Sequence, residues 1–165
     1  VMYSLFDIIG RDGRNALILT LFIVFGLLWI DFGNPKHALM AMIPLLTGIF
    51  WMVGLMKLTG LQFTVINVMG LPMILGIGID DGVHIVHRWL AEGKSEVRRV
   101  FASTGKAILL TTLTTMLAFG SLVFAIWRGY SSLGSALFLG VGACFLTTIL
   151  IHAGIMGAAQ NKGKK

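Results

Sequence analysis

Five apolar runs, at residues 15–32, 38–56, 62–87, 107–126 and 133–158, decide what this chain can become. A hydrocarbon core about 30 Å thick is crossed by roughly 20 helical residues, so each run is long enough to span a membrane. The expected fold is all-α, a polytopic transmembrane bundle of five spans. Composition agrees: 56% of residues are hydrophobic and 12% charged, against about half and about a quarter in soluble domains. A soluble enzyme, a disordered tail and a disulfide scaffold are excluded, and Cys144 has no second cysteine to pair with. With so few charges, the 21 glycines point to close helix packing in lipid rather than to disorder.

The net charge of +6 is not the footprint of a nucleic-acid binder, because the basic residues lie between apolar runs and at the tail without interleaved aromatics. They set orientation instead. Lys36, Arg88, Lys94, Arg98, Arg99, Lys106, Lys162, Lys164 and Lys165 fall on one side, and only Arg11, Arg14, Lys57 and Arg128 on the other. That bias places the C-terminus in the cytoplasm of a multi-pass inner (plasma) membrane protein. Residues 1–14 read as an extracytoplasmic lead-in, the end of a larger upstream region. Residues 15–158 form the membrane domain, 88–106 a cytoplasmic loop and 159–165 a cytoplasmic tail. Within that loop Val97, Val100 and Phe101 recur at helical spacing, which fits a surface helix as well as a solvated connector.

The third run carries Asp80 and Asp81. An ionisable group at the centre of a span costs about 2.5–3.5 kcal/mol even on lenient insertion scales, and by default marks function. Asp80 precedes Arg88 by eight residues, about 12 Å of helix. The apolar pattern continues past the pair through Val83, Ile85 and Val86. On the fourth run, LLTTLTTML holds Thr111, Thr114 and Thr115 on one face at a comparable depth. These hydroxyls are expected to bond the carboxylates, although back-bonding to their own helix is the ordinary use of membrane threonines. Two adjacent carboxylates titrate as a unit. Asp80, His84 and His87 form an i, i+4, i+7 stripe that offers protons a path to the surface, with His87 better placed as an interfacial anchor. Gly76, Gly78 and Gly82 are expected to let a neighbouring helix approach. GIGIDDG has the wrong spacing and context for a dinucleotide loop.

GIGIDDGVHIVHRW and TGKAILLTTLTTMLAFGSLVFA resemble the acidic glycine-rich helix, and the helix after it, of the resistance–nodulation–division (RND) superfamily of proton-driven exporters. The likeness is closest to the MMPL-type branch, with Patched and Niemann–Pick type proteins as cousins. The resemblance implies a twelve-span fold in two six-span halves, of which this chain is spans eight to twelve. It implies no enzyme activity and no cofactor. It also implies a protonation site at Asp80, with Asp81 beside it and Thr111 as the hydroxyl on the next helix; to these the threonine face adds Thr115, and the histidine stripe His84, as candidate relay residues. Many MMPL-type members carry Tyr where this chain has Asp81, so Asp81 either carries protons or tunes Asp80. The implied partners are membrane lipids, a lipid or other hydrophobic substrate, and the missing N-terminal half of the same transporter. Assembly into an oligomer is left open. Two other readings compete: a divalent-metal site formed by Asp80, Asp81, His84 and His87, and a sterol- or lipid-sensing bundle without transport.

Overall fold

The computed structural model describes residues 2–61, 64–93 and 97–162, with side chains at 10–61, 64–67, 70–93 and 97–158. Val1, Gln62, Lys94 and residues 163–165, used above for a span boundary, the charge bias and the tail, lie outside them. The described residues are almost wholly helical. They form α1 (Met2–Phe32), α2 (Pro35–Leu58), α3 (Val65–Met69), α4 (Leu71–Glu92), α5 (Val97–Val100), α6 (Lys106–Ser121) and α7 (Arg128–Lys162). A π turn over Phe101–Gly105 joins α5 to α6, and a 3-10 turn over Leu122–Phe124 follows α6. Five helical stretches are long and apolar enough to cross a membrane: Gly10–Phe32, Pro35–Leu58, Val65–Glu92, Val97–Phe124 and Arg128–Ala158.

Local chemistry sets the helix ends. Gly33 has φ +61°, a conformation that costs a residue with a Cβ about 1–2 kcal/mol. Asn34 then caps α2, its Oδ1 accepting from the Lys36 N–H at 3.0 Å. Pro35 occupies the first turn, where its missing N–H would have had no partner. The third span is interrupted by the single residue Gly70, with Pro72 just behind it. The stretch read as the loop 88–106 is mostly helix: α4 runs on to Glu92, Gly93 turns the chain at φ +91°, and α5 begins at Val97.

The core is α2, α4 and α7, with α1 and α6 packed outside it. Small residues allow the central three to touch by their backbones. A Cβ at Gly48 of α2 would stand 2.7 Å from the Cα of Cys144 on α7. One at Gly82 of α4 would stand 2.6 Å from the Ala41 carbonyl oxygen of α2. At Gly78 it would lie 3.0 Å from the Cys144 side chain and from Leu45. The buried Thr147 hydroxyl adds a cross-helix bond, donating toward the Pro44 carbonyl of α2 at 2.8 Å. α1 and α6, by contrast, turn Leu19, Phe22, Ile30, Leu110 and Leu117 outward, as an apolar solvent permits. Gly76 faces away from the core, and a Cβ there would meet nothing within 4 Å among the described residues.

Gly82→Ala forces a methyl group into a backbone carbonyl, and overpacking of this kind costs about 1–3 kcal/mol. Gly76→Ala is expected to change stability by no more than about 0.5–1 kcal/mol, in the stabilising direction, through helix propensity. Unfolding of the two variants in detergent separates the positions.

Candidate functional site

α4 carries two faces of opposite character. Ile74, Gly78, Asp81, Ile85 and Trp89 follow the helical repeat and are buried. Met73, Gly76, Asp80, His84 and His87 follow it on the other side and are exposed. The adjacent acids therefore point apart: Asp81 is only 9% exposed, whereas Asp80 stands on the open face. The close approaches at Gly78 and Gly82 fix this rotation of α4 against α2 and α7.

Both acids border one small cavity of about 100 Å³ between α4, α6 and α7. Thr111, Thr112, Thr115, Ile77 and Val141 complete its lining. A polar cavity of this size admits water. The Thr112 hydroxyl donates to Asp81 Oδ2 at 3.2 Å in a buried bond between α6 and α4. Thr111 donates instead to the Ala107 and Ile108 carbonyls at 3.2 and 2.9 Å, and Thr115 to the Thr111 carbonyl at 2.9 Å. Thr114 also bonds its own helix, at the Thr111 carbonyl. With their hydrogens engaged, the Thr111 and Thr115 oxygens keep lone pairs that can accept from a protonated carboxyl group. The cavity thus offers one donor to a carboxylate and two acceptors to a carboxylic acid.

His84 borders a second, larger cavity of about 340 Å³ with Arg88, Ser103, Thr104 and Thr111. Thr111 is common to the two cavities. His87 leaves the expected stripe and pairs through Nε2 with Asp31 at the end of α1. Its ring stacks on Phe32 with centroids 4.4 Å apart. No group of three His, Cys, Asp or Glu side chains suited to a metal ion occurs among the described residues.

Sequence reasoning brought Asp80, Asp81, Thr111, Thr115 and His84 forward and passed over Thr112, although it lies next to Thr111. The usable signal was the repeat 74, 78, 81, 85, 89, which sets Asp81 among apolar and small residues and so calls for a facing hydroxyl.

Residues 5–162 match the family described as protein export membrane protein SecD/SecF, C-terminal. The chain belongs to this family. Among curated relatives, membrane protein MJ1562 of Methanocaldococcus jannaschii is 29% identical over 76% of this chain and 34% of its own length. The hopanoid transporter HpnN of Burkholderia multivorans is 28% identical over 84% of this chain and 16% of its own. The transport protein MmpL10 of Mycobacterium leprae is 25% identical over 97% of this chain and 17% of its own. The chain therefore spans about a third or less of these relatives. They bear out the resemblance to the RND superfamily and its MMPL-type branch. No solved structure matches the chain at a significant level.

The bond between Thr112 and Asp81 is testable by a double-mutant cycle with Thr112→Val and Asp81→Asn. A coupling energy of about 0.5–1.5 kcal/mol is expected, the range of hydrogen bonds between membrane helices. Strictly additive losses on unfolding would show that the two side chains do not interact.

Proposed function

We propose that this SecD/SecF-family chain is the transmembrane module of a proton-motive-force-driven exporter of lipids or other hydrophobic molecules. Protons are relayed through Asp80 and Asp81. The observation that carries this reading is the cavity joining both carboxylates to three threonine hydroxyls inside helices of membrane-spanning length. Acids at such depth are expensive and face bundle interiors or water-filled paths when they carry ions. The names of the relatives support transport as the task, hopanoids being the cargo named for one of them.

Asp80 is the group that exchanges protons, being the more exposed of the two. Asp81, held by Thr112, is its partner. Protonation cancels a charge and replaces an acceptor by a donor, which favours the Thr111 and Thr115 oxygens over the Thr112 hydroxyl. The α4–α6 contact therefore differs between the two protonation states, and that difference drives a distant substrate domain. The exposed Asp80 and His84 have no place against lipid, which supports a partner surface there: the N-terminal half of the same transporter. In this reading Arg88 and the C-terminus lie on the cytoplasmic side of the inner membrane.

Membership in a family described by protein export favours one second reading, in which the same proton module serves protein translocation. The two share the relay and differ in cargo. Asp80→Asn in the full-length protein is expected to insert normally and to lower proton flux and export by about 100-fold or more, the range of what one positioned proton-transfer group contributes. Flux in proteoliposomes under an imposed pH gradient measures this, and wild-type flux from the variant would end the relay reading. Lipid against polypeptide transport in the same vesicles decides the cargo.

A further inference from the structure

At the end of α6 farthest from Arg88 the bundle carries an apolar groove of about 460 Å³, on which the proton relay makes no demand. Met116, Leu117 and Gly120 of α6, Phe124 of the 3-10 turn and Phe138 of α7 line it. We propose that this groove binds one acyl chain of an anionic phospholipid from the surrounding bilayer, with the lipid phosphate held by Arg128. The lipid is a resident ligand of the module and not its cargo. This binding site goes beyond the transport reading and stands without the relay.

The chemistry of the groove suits hydrocarbon. Ser121 is the polar side chain in its lining, and that hydroxyl donates to the Ala118 carbonyl at 2.7 Å. Where α6 gives way to the 3-10 turn, the Val123 carbonyl accepts from the Ser131 hydroxyl of α7 at 2.9 Å. The Leu122 carbonyl accepts from the Ala125 N–H at 3.0 Å. Backbone satisfied in this way can face an acyl chain without a penalty for unmet hydrogen bonds. The groove also faces the bilayer. Gly120 follows Thr111 by nine residues, about two and a half helical turns, so the two stand on opposite sides of α6. Thr111 is on the side of the aspartate cavity, where the partner half is proposed to sit. On the opposite side Leu117 and Phe124 are 71% and 88% exposed.

Side chains mark the headgroup end. Arg128, Ser131, Ser135 and Phe138 follow the helical repeat and share one face of α7. Phe138 lines the groove and Ser131 touches the turn beside it, so this face leads from the groove to Arg128, the first residue of the last membrane-spanning stretch. Trp127 and Tyr130 flank Arg128, both exposed and edge to face with ring centroids 4.7 Å apart. Exposed Trp and Tyr at the end of a span sit at headgroup depth. Arg128 is itself exposed and has no ion-pair partner among the described residues. Its charge is permanent, and a guanidinium is a strong ligand for phosphate. One face thus offers a chain site and a phosphate site in line. Charge complementarity selects an anionic lipid over a zwitterionic one, whose own cation offsets the attraction.

The test uses the full-length protein in phosphatidylcholine vesicles doped with phosphatidylglycerol that carries a diazirine on one acyl chain. After illumination, labelled peptides are identified by mass spectrometry. Label is expected to concentrate on the peptides holding Met116 to Phe124 and Phe138. It is expected to exceed that from phosphatidylcholine bearing the same diazirine about fivefold, as one basic residue near a membrane surface implies. Arg128→Gln removes this preference and Arg128→Lys retains it, which separates charge from folding. Leu117→Trp fills the groove from an exposed position and is expected to clear the label from Phe138. Equal labelling by the two lipids overturns the proposal, as does label spread evenly over Phe138 and the exposed Leu19 and Phe22 of α1. Label lost from the groove under an imposed pH gradient makes the occupant cargo and also overturns it. Proton flux is no part of this readout, so the failure of the relay reading is a separate result.

Discussion

The approach of α2 to α7 at Gly48 and Cys144 is the constraint on which the other contacts depend. Lipid tails are as apolar as leucine, so helices in a membrane gain little by hiding apolar surface from their solvent. They associate through close packing and hydrogen bonds. Cys144 meets both requirements of a packing centre, because it is small and it contacts two helices. Gly48 of α2 lies against its backbone and Gly78 of α4 against its side chain. Once α2 and α7 are seated there, with Thr147 bonded across to Pro44, α4 has one rotation open to it. Gly82 must face Ala41, so Asp81 turns in toward α6 and Asp80 turns out.

The span count was legible in the sequence because length and hydropathy answer a single question, whether a segment can cross lipid. The acidic pair stood out for a related reason: an ionisable group within an apolar run is expected to be costly, and the fold brings both carboxylates to one cavity. The rotation of α4 was harder to read. In water, the inward face of a helix is the apolar one, whereas in lipid both faces are apolar and the contrast fades. The repeat through Ile74, Gly78, Asp81, Ile85 and Trp89 held the information, but four glycines between Gly70 and Gly82 blurred it. Gly78 and Gly82, one turn apart, meet other helices closely, while Gly76 does not.

Thr112 and the Asp31–His87 pair were hidden by different causes. Thr111 and Thr112 differ by 100° of rotation, and which of them meets α4 depends on how α6 crosses it. That crossing is a tertiary property with no local signature. Asp31 and His87 are 56 residues apart, and each reads on its own as an ordinary interfacial residue. The helical connection through α5 and the π turn was partly visible in the spacing of Val97, Val100 and Phe101.

The third span is fastened near both ends, and to different neighbours. At one end Asn67 donates to Ser132 of α7 at 3.0 Å, and its Oδ1 accepts from the Thr64 N–H at 2.7 Å. At the other, His87 pairs with Asp31 and stacks on Phe32 of α1. A rod clamped at both ends cannot slide along its axis without releasing a clamp. Gly78 and Gly82 hold its middle against α7 and α2 as well, so a change in the bonding of Asp80 and Asp81 is taken up not by α4 but by α6, the outer helix that reaches it through the Thr112 hydroxyl.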